Sequence, residues 1–495
     1  MRAFPRFREH ALCTTGVSMG RISRCQLMFV GLALAVMVGV FLRLVWVADM
    51  EYKYDEAWTF ERTQEAGLTE ISPWLGMSSS VGVKNPGMSV WVFVILGKIF
   101  AVQDPTGLAR AVQVMNSATV LLLIAFAFSV MNQEEREPWL WGAVLGSVNP
   151  LAVLFHRKIW PQSILPIFML AMLVGWWHRQ RRWGAFSWGL VGALLGQIHM
   201  PGFFFAAGFA LWTMLFDRRR VSWLSWVTGS CVGAIPLVPW LPHLFRTFGE
   251  SRKRAQWSHV LNGEFWTTWV TEPFGLGLKY SLGPSFKQFR AFPLFDGVPT
   301  HLVGLLHVLI ILLMIVILLR AGYQFWLDRR QWRDGWFRME SHTALAVNAA
   351  LFGYGILLTA LGFPFYRHYL VVTFPLMFVW VARLTLFTSS SRQTAMQLGR
   401  ALLLTLCILE GLLSANFLYY IHVNQGAIHG DYGLAYGAQY CPEKSTSPEN
   451  ADSVLRMVRS YACFWTRGRL AVEYLTPPER HPPIVKDNAL PRSLP

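Results

Sequence analysis

An acidic segment follows the first long apolar stretch of the chain, and its residue types suit proton transfer. Residues 49–58 read Asp-Met-Glu-Tyr-Lys-Tyr-Asp-Glu-Ala-Trp. The pair Asp55 and Glu56 is flanked by aromatic side chains, which predicts a partly buried segment lying against a membrane. A carboxylate held in such a place has a raised pKa and can act as a general base. A hydrated helix end is the alternative interpretation.

Adjacent acids in an extended or turn segment point to different sides. One of the pair Asp55 and Glu56 is therefore expected to contact a substrate, while the other holds a metal ion or a structural arginine. If a metal is bound, Glu56 is its candidate ligand. A divalent metal is compatible with this segment and is not required by it, and no other cofactor is expected. Tyr54, beside the pair, is a candidate substrate contact.

Cations that suit a phosphate group occur where apolar stretches begin or end. Arg157 and Lys158 follow His156 at a junction of two such stretches, where a cluster of cations favours phosphate binding. Lys84 and Arg367 are further candidates, and for both the alternative is a side chain that reaches from the membrane edge into water. His199 and His368 lie close to such junctions and are candidate substrate contacts, although a histidine in a turn more often has a structural role.

The elements that must position these residues are membrane-spanning helices. Of the 495 residues, 54% are hydrophobic and only 15% are charged, whereas a soluble domain carries about a quarter charged residues. The apolar residues form blocks near the roughly 20 residues that a span needs. The formal net charge of +16 comes from short clusters between the blocks. That pattern encodes membrane topology and argues against nucleic-acid binding.

Twelve apolar runs are candidate spans: about 26–47, 87–101, 108–130, 138–155, 160–177, 184–199, 201–216, 222–245, 299–325, 343–363, 367–388 and 398–421. The first run is too long for a cleavable signal peptide. The sequence therefore predicts an all-α polytopic membrane protein with three regions: a cytoplasmic N-terminus at 1–25, a membrane domain at 26–421 and an extracytoplasmic tail at 422–495.

Short basic loops predict the orientation, because cytoplasmic loops carry an excess of Lys and Arg. Three loops qualify: His178–Arg182, Asp217–Arg220 and Asp328–Arg338. They place the loop 246–298 and the tail on the outer face, and the basic N-terminus before the first span places the loop 49–86 there as well. Strict alternation from the first span conflicts with this arrangement, so one early run does not cross fully. The runs 87–101 and 138–155 are the weakest candidates, and the number of crossings is therefore odd, 11 or 13.

The tail contains two cysteines, Cys441 and Cys463. Outside a bacterial plasma membrane they can form a disulfide, and two free thiols are the alternative. No cysteine spacing typical of a metal site is present.

Several short motifs, taken in order, resemble the membrane glycosyltransferases with a GT-C fold. The similarity is to the bacterial branch related to protein O-mannosyltransferases and lipid A aminoarabinose transferases. It covers most of residues 25–435. The matching motifs are Tyr54-Asp55-Glu56-Ala57, Asn85-Pro86-Gly87-Met88, Asn149-Pro150 with His156-Arg157, Arg367-His368-Tyr369 with Pro375, and His429-Gly430-Asp431-Tyr432-Gly433. The single proline at 86 departs from the paired prolines common in the family, and the tail shows no recognisable carbohydrate-binding domain.

The resemblance implies a GT-C-type bundle of about 11–13 transmembrane helices with loops on the outer face. It also implies a polyprenyl-phosphate-linked sugar donor and Asp55 as the catalytic base, with Glu56 in a supporting role. We expect Lys84, Arg157, Lys158 and Arg367 to bind the donor phosphate. The acceptor is a lipid, a glycan or a protein, and the site faces the periplasm or exterior of a bacterial plasma (inner) membrane. One-step attack predicts inversion at the anomeric carbon. A transporter or a lipid or glycan flippase is the alternative function.

Overall fold

The structure, a computed structural model, describes residues 24–66, 73–79, 83–252, 259, 263–327, 341–362, 364–386 and 393–440. The first half contains helices α1 (Arg24–Leu44), α2 (Tyr54–Glu65), α3 (Met88–Ile99), α4 (Pro105–Val130), α5 (Gln133–Val148), α6 (Pro150–Phe155), α7 (Leu165–Trp177), α8 (Arg182–Ile198), α9 (Pro201–Asp217), α10 (Trp223–Ala234) and α11 (Leu241–Arg252).

The second half contains α12 (Glu264–Thr271), α13 (Leu278–Leu282), α14 (Phe286–Ala291), α15 (Leu302–Leu327), α16 (His342–Asn348), α17 (Tyr354–Ala360), α18 (Leu376–Leu386), α19 (Gln393–Asn424) and α20 (Tyr436–Tyr440). Within the described residues, strands occur only as three short antiparallel pairs: β1 (Leu75–Ser78) with β2 (Lys84–Pro86), β3 (Leu294–Phe295) with β4 (Val298–Pro299), and β5 (Gly426–Ala427) with β6 (Gly433–Leu434).

The helices have the length and composition of membrane spans. Four of those in the described part of the chain are long and apolar enough to cross a bilayer, and two bent helix pairs would raise the number to six. Shorter apolar helices cover Val30–Leu44, Met88–Ile99 and Pro161–Trp177. The prediction of an all-α polytopic membrane protein is confirmed. The count of 11 to 13 crossings stays a prediction.

Helix α3 is one of the shorter apolar helices. Its 12 residues extend about 18 Å, whereas the hydrocarbon core is about 30 Å thick. It packs beside α2, because a Cβ at Gly97 would lie 2.8 Å from the Thr63 side chain. The run 87–101 therefore suits the early segment that is expected not to cross fully, and this stays a prediction. The other weak candidate, 138–155, corresponds to α5 and α6.

Polar contacts define two ends of the bundle. At one end Arg179, after α7, bonds to Asp217 at the end of α9 with an Nε–Oδ2 distance of 2.8 Å. At the other end Lys158, after α6, forms an ion pair with Glu51, after α1. The predicted cytoplasmic loops at 178–182 and 217–220 therefore share one end, and the candidate site residues share the other.

A break between α5 and α6 delivers the 156–158 segment to the site end. Asn149 starts α6 by accepting hydrogen bonds from the backbone N–H groups of Leu151 and Ala152, at 3.0 and 3.3 Å. Its side-chain amide donates to Glu410 of α19 at 2.9 Å. Pro150 suits the first position of a helix because it has no N–H to satisfy.

Candidate active site

The acidic segment 49–58 is organised by the start of α2. Glu56 is buried, with 1% of its surface exposed, and accepts a hydrogen bond from the Lys53 backbone N–H at 3.0 Å. This is the reciprocal bond of a capping box, which fixes the first turn of a helix. The acids do point to different sides, as expected, but they do so in a helix rather than in an extended or turn segment.

Asp55 lies half-buried at the surface of the site end. One of its carboxylate oxygens, Oδ2, accepts a hydrogen bond from the indole N–H of Trp160 at 3.1 Å. Burial raises the pKa of Asp55, and this is only partly opposed by the Trp160 hydrogen bond and by the charges of Lys53 and Lys158. The second oxygen, Oδ1, is therefore the atom of this side chain that is suited to accept a proton.

A buried ion network lies beside Asp55. Glu51, 2% exposed, pairs with both Lys158 and Lys53, and the distance to Lys53 Nζ is 2.6 Å. Lys53 also lies 3.1 Å from Asp431 Oδ1. Burial, followed by repulsion from Glu51, raises the pKa of Glu56 to about 7. Lys158, predicted to bind phosphate, is thus already paired with Glu51. It contributes a positive charge next to the aromatic side chains of the site.

Aromatic side chains form a surface next to Asp55, which we call the aromatic platform: Phe155, Trp160 and His368. Phe155 and Trp160 stack with ring centroids 5.9 Å apart, and the His368 ring lies 4.9 Å from that of Trp160. Lys158 Nζ lies 4.9 Å from the Trp160 centroid, within the range of a cation–π contact. The platform offers ring faces of the kind on which a sugar ring packs.

Arg367 lies beside Phe155, at the aromatic platform. Its Cζ is 5.9 Å from the Phe155 centroid. Nη1 donates to the Gly277 carbonyl at 2.7 Å and to Ser281 Oγ at 3.1 Å. Nε lies 3.1 Å from buried Glu272 Oε1. Among the described residues Nη2 has no hydrogen-bond partner, so this amino group is free to bind an anionic oxygen.

Burial raises the pKa of Glu272, and the charge of Arg367 opposes that rise. The pair therefore keeps the Arg367 guanidinium fixed in one orientation beside the platform. Because Glu272 belongs to the loop between α12 and α13, this loop takes part in building the site.

Arg157, also predicted to bind phosphate, has a structural position instead. It is 3% exposed and donates to the carbonyls of Leu42, Arg43 and Trp46 at 2.8, 2.9 and 2.9 Å. The Leu42 and Arg43 carbonyls lie in the last turn of α1, where carbonyls lack partners within the helix, and the Trp46 carbonyl also accepts from the Asp49 backbone N–H at 3.0 Å. We therefore assign Arg157 to the end of α1.

Lys84 and Tyr54 lie outside the Asp55 group. The Lys84 backbone contacts His243 Nε2 at 3.2 Å and Trp240 Nε1 at 2.7 Å, and its side chain is exposed. Tyr54 is 73% exposed. His199 lies on the inner side of the platform, with its ring centroid 5.6 Å from that of His368. Cys441 and Cys463 lie outside the described residues.

The side chains of this site do not form a set of ligands that fits a metal ion. Within the part of the chain that the structure describes, no three His, Cys, Asp or Glu side chains come close enough to share a cation. Glu56 is buried against the Lys53 backbone, and Glu51 is neutralised by two lysines. We therefore derive no step through a metal.

A segment after α19 closes the site. This closing strap, residues 425–435, includes Ala435, which forms a β-bridge with Glu51. The Tyr432 backbone N–H donates to the Ser281 carbonyl at 2.9 Å. A Cβ at Gly430 would lie 2.4 Å from the backbone of Leu282, so only glycine fits there. The strap thus joins the acidic segment to the loop that holds Arg367.

Three residues of the candidate site are not indicated by the sequence analysis. Trp160 follows the cationic motif at 156–158, and its hydrogen bond to Asp55 joins positions 105 residues apart. Glu51 belongs to the acidic segment, but its two lysine partners could not be assigned. Glu272 lies in a loop with no motif, and no sequence signal marked it.

No protein-family model and no curated protein matches this sequence. Among solved structures, the apo oligosaccharyltransferase of Archaeoglobus fulgidus is similar with a TM-score of 0.43 and 13% identity, over 79% of this chain and 55% of that one. The same enzyme tethered to an acceptor peptide gives a TM-score of 0.44 and 14% identity, over 82% and 56%. ArnT from Cupriavidus metallidurans, bound to undecaprenyl phosphate, gives 0.45 and 12%, over 86% and 82%.

This chain thus spans about half the length of the oligosaccharyltransferase. Both neighbours are membrane glycosyltransferases with a GT-C fold, the class that the sequence motifs resemble. At these TM-scores and identities, the likeness alone assigns no activity to this chain.

Proposed function

We propose that this protein transfers a sugar from a polyprenyl-phosphate-linked donor to a lipid, glycan or protein acceptor on the outer face of a bacterial plasma membrane. The observation that carries the proposal is the position of Asp55. Its half-buried carboxylate is held by Trp160 at 3.1 Å, next to an aromatic platform that also borders the Arg367 guanidinium, 5.9 Å from the Phe155 ring. Sugar transfer from a phosphate requires a base on one side of the sugar and a positive charge on the other.

In the proposed step, the acceptor hydroxyl gives its proton to Asp55 Oδ1. The acceptor oxygen forms a bond to the anomeric carbon while the bond from that carbon to the phosphate oxygen breaks. The electron pair of the broken bond leaves with the polyprenyl phosphate. Attack from the side opposite the leaving phosphate inverts the anomeric carbon.

Arg367 is the residue best placed to bind the departing phosphate. Its Nη2 has no partner among the described residues, and Glu272 fixes the guanidinium at 3.1 Å. Lys158, within 5.2 Å of the same Phe155 ring, adds positive potential without direct contact. Charge developing on the phosphate is stabilised by such fixed cations without reorganisation.

The test is transfer of radiolabelled sugar from polyprenyl-phosphate-linked donors to membrane fractions by the purified, reconstituted protein. The Asp55→Asn variant should lose transfer by about 10²-fold or more, because an amide cannot accept the proton. Glu61→Gln is the matched control, since it removes an exposed carboxylate from the same helix. Thermal unfolding of all three proteins checks that each is folded.

Full activity of Asp55→Asn would overturn the assignment of the base. If wild type transfers no sugar from any donor, the proposed reaction is wrong, and transport or flipping of a lipid-linked molecule becomes the function to test. The described acids Asp55, Glu51 and Glu56 are all at one end of the bundle, whereas transporters typically place ionisable groups near the middle of the membrane.

A further inference from the structure

A group of uncharged polar side chains is buried directly behind the aromatic platform. We call it the neutral polar cluster, and its members are Gln113, Asn116, Gln162, Ser163 and His199. All five are buried, with exposed fractions between 0% and 7%. Two contacts join the members: Asn116 donates to the Ser163 carbonyl at 2.9 Å, and the amide nitrogen of Gln162 lies 3.0 Å from His199 Nε2. Gln113 lies one turn before Asn116 on the same face of α4.

The neutral polar cluster contains several buried donor and acceptor atoms that have no hydrogen-bond partner among the described residues. Within the described residues, buried atoms without a partner include both polar atoms of Gln113, together with Asn116 Oδ1, Gln162 Oε1, Ser163 Oγ and His199 Nδ1. A buried polar atom without a partner is destabilising, so such atoms are normally satisfied. A concentration of them on three neighbouring elements indicates a site built for a polar ligand.

The pattern of donors and acceptors identifies the kind of ligand. Because the Gln162 amide nitrogen can only donate, His199 Nε2 accepts, and the ring proton therefore lies on Nδ1. With Nε2 accepting a hydrogen bond and one proton on Nδ1, the His199 ring is neutral. The unpartnered atoms are thus donors and acceptors in mixture, with no formal charge. Hydroxyl groups, each both donor and acceptor, complement such a set, whereas a carboxylate or an ammonium group does not.

The cluster connects to the catalytic carboxylate. The His199 and His368 ring centroids are 5.6 Å apart, and those of His368 and Trp160 are 4.9 Å apart. Trp160 in turn donates to Asp55. A ligand whose ring packs on the platform would therefore have the base at one edge and the neutral polar cluster at another.

We infer that the neutral polar cluster binds the hydroxyl groups of the donor sugar and that this sugar is uncharged, a neutral hexose or pentose rather than a uronic acid or an amino sugar. The inference rests on the proposed function and specifies its substrate class. It assigns Gln113, Asn116, Gln162 and Ser163 to sugar recognition, together with His199.

The test is binding of four probes to the full-length protein in nanodiscs: polyprenyl phosphate alone, and polyprenyl phosphate carrying a neutral hexose, a uronic acid or an amino sugar. The decisive variant is Gln113→Met. Neither amide atom of Gln113 has a hydrogen-bond partner among the described residues, so methionine, of similar length, should leave stability nearly unchanged. Ser163→Ala is a second variant with a small change in volume. Thr119→Val is the matched control, because this buried hydroxyl of the same helix bonds within the helix, to the Met115 carbonyl at 2.9 Å.

We expect wild type to bind the hexose-linked probe more tightly than polyprenyl phosphate alone and more tightly than either charged probe. Gln113→Met should weaken binding of the hexose-linked probe about tenfold and leave polyprenyl phosphate unchanged, while Thr119→Val changes neither. Equal affinity of wild type and Gln113→Met for the hexose-linked probe would overturn the inference, since the cluster would then hold only water. Tighter binding of a charged sugar would also overturn it. Failure of wild type to bind any of the four probes would instead count against the proposed function.

Discussion

Replacing Glu56 by glutamine tests whether the adjacent acids Asp55 and Glu56 have different roles, because it changes the stability of the protein without touching the proposed base. Glutamine keeps the side-chain oxygen that accepts the Lys53 N–H, so the capping bond at 3.0 Å is retained. What is removed is the charge. In wild type, burial and then Glu51 raise the pKa of Glu56 from 4.5 to about 7, so the folded protein binds this proton more tightly than the unfolded chain does.

The sign and size of the effect follow from that pKa. A carboxyl group with a raised pKa contributes most to stability below about pH 4.5, and the contribution is lost as the pH rises through 7. At about 1.4 kcal/mol per tenfold change in proton affinity, the ionised carboxylate costs wild type about 3 kcal/mol above pH 8. Glu56→Gln should therefore match wild type near pH 4 and be more stable by about that amount above pH 8.

The assay is the free energy of unfolding of the detergent-solubilised protein between pH 4 and pH 9, with Glu61→Gln as the control for removing an exposed carboxylate from the same helix. Sugar transfer should persist in Glu56→Gln, because Asp55 takes the proton. A difference in stability that does not vary with pH would refute the reasoning. Greater stability of wild type at pH 8 would show that Lys158 stabilises the Glu56 carboxylate by more than burial destabilises it.

Two further substitutions test the positions of Trp160 and Arg157. Trp160→Phe keeps an aromatic ring but removes the hydrogen bond to the Asp55 carboxylate. Such a bond to a charged group contributes about 1.5–3 kcal/mol, so kcat should fall about tenfold. Because the bond also lowers the pKa of Asp55, the acidic limb of the pH–rate profile should move to higher pH, and an unmoved limb would contradict the assignment of Asp55. Arg157→Met leaves the buried carbonyls of Leu42 and Arg43 without this donor, so the free energy of unfolding should fall by about 2 kcal/mol or more, while KM for the donor is unchanged in the folded fraction. A raised KM at wild-type stability would restore Arg157 as a phosphate ligand.

The helices and the location of the acidic segment could be predicted from the sequence, because the length of apolar runs and the acids after the first run are local signals. The basic loops also predict that one early run does not cross fully. Helix α3, at 12 residues, is a short helix of the kind expected there, and its topology stays a prediction. Local signals could not separate Arg157 from Lys158. These neighbours differ only in their tertiary contacts: Arg157 contacts the end of α1, and Lys158 pairs with Glu51.

Pairings between residues of distant loops could not be predicted from the sequence. Glu272 and Arg367 are 95 positions apart, and nothing near Glu272 marks it as a partner. Gln113 and Asn116 lie in an apolar run where single amides are common, and their significance depends on Gln162 and His199 lying opposite. That juxtaposition is a property of the fold alone.

The closing strap implies an order in which the site is assembled during synthesis. The ribosome synthesises Asp49 and Lys53 nearly four hundred residues before Tyr432 and Asp431, which bond to them. Until then the acidic segment lacks the contacts that fix it. Its geometry is complete only after α19 has been inserted and residues 425–435 have reached the same side of the membrane. If the protein transfers sugar as proposed, a partly made copy has no assembled site, and arrival of the closing strap acts as a built-in check on assembly.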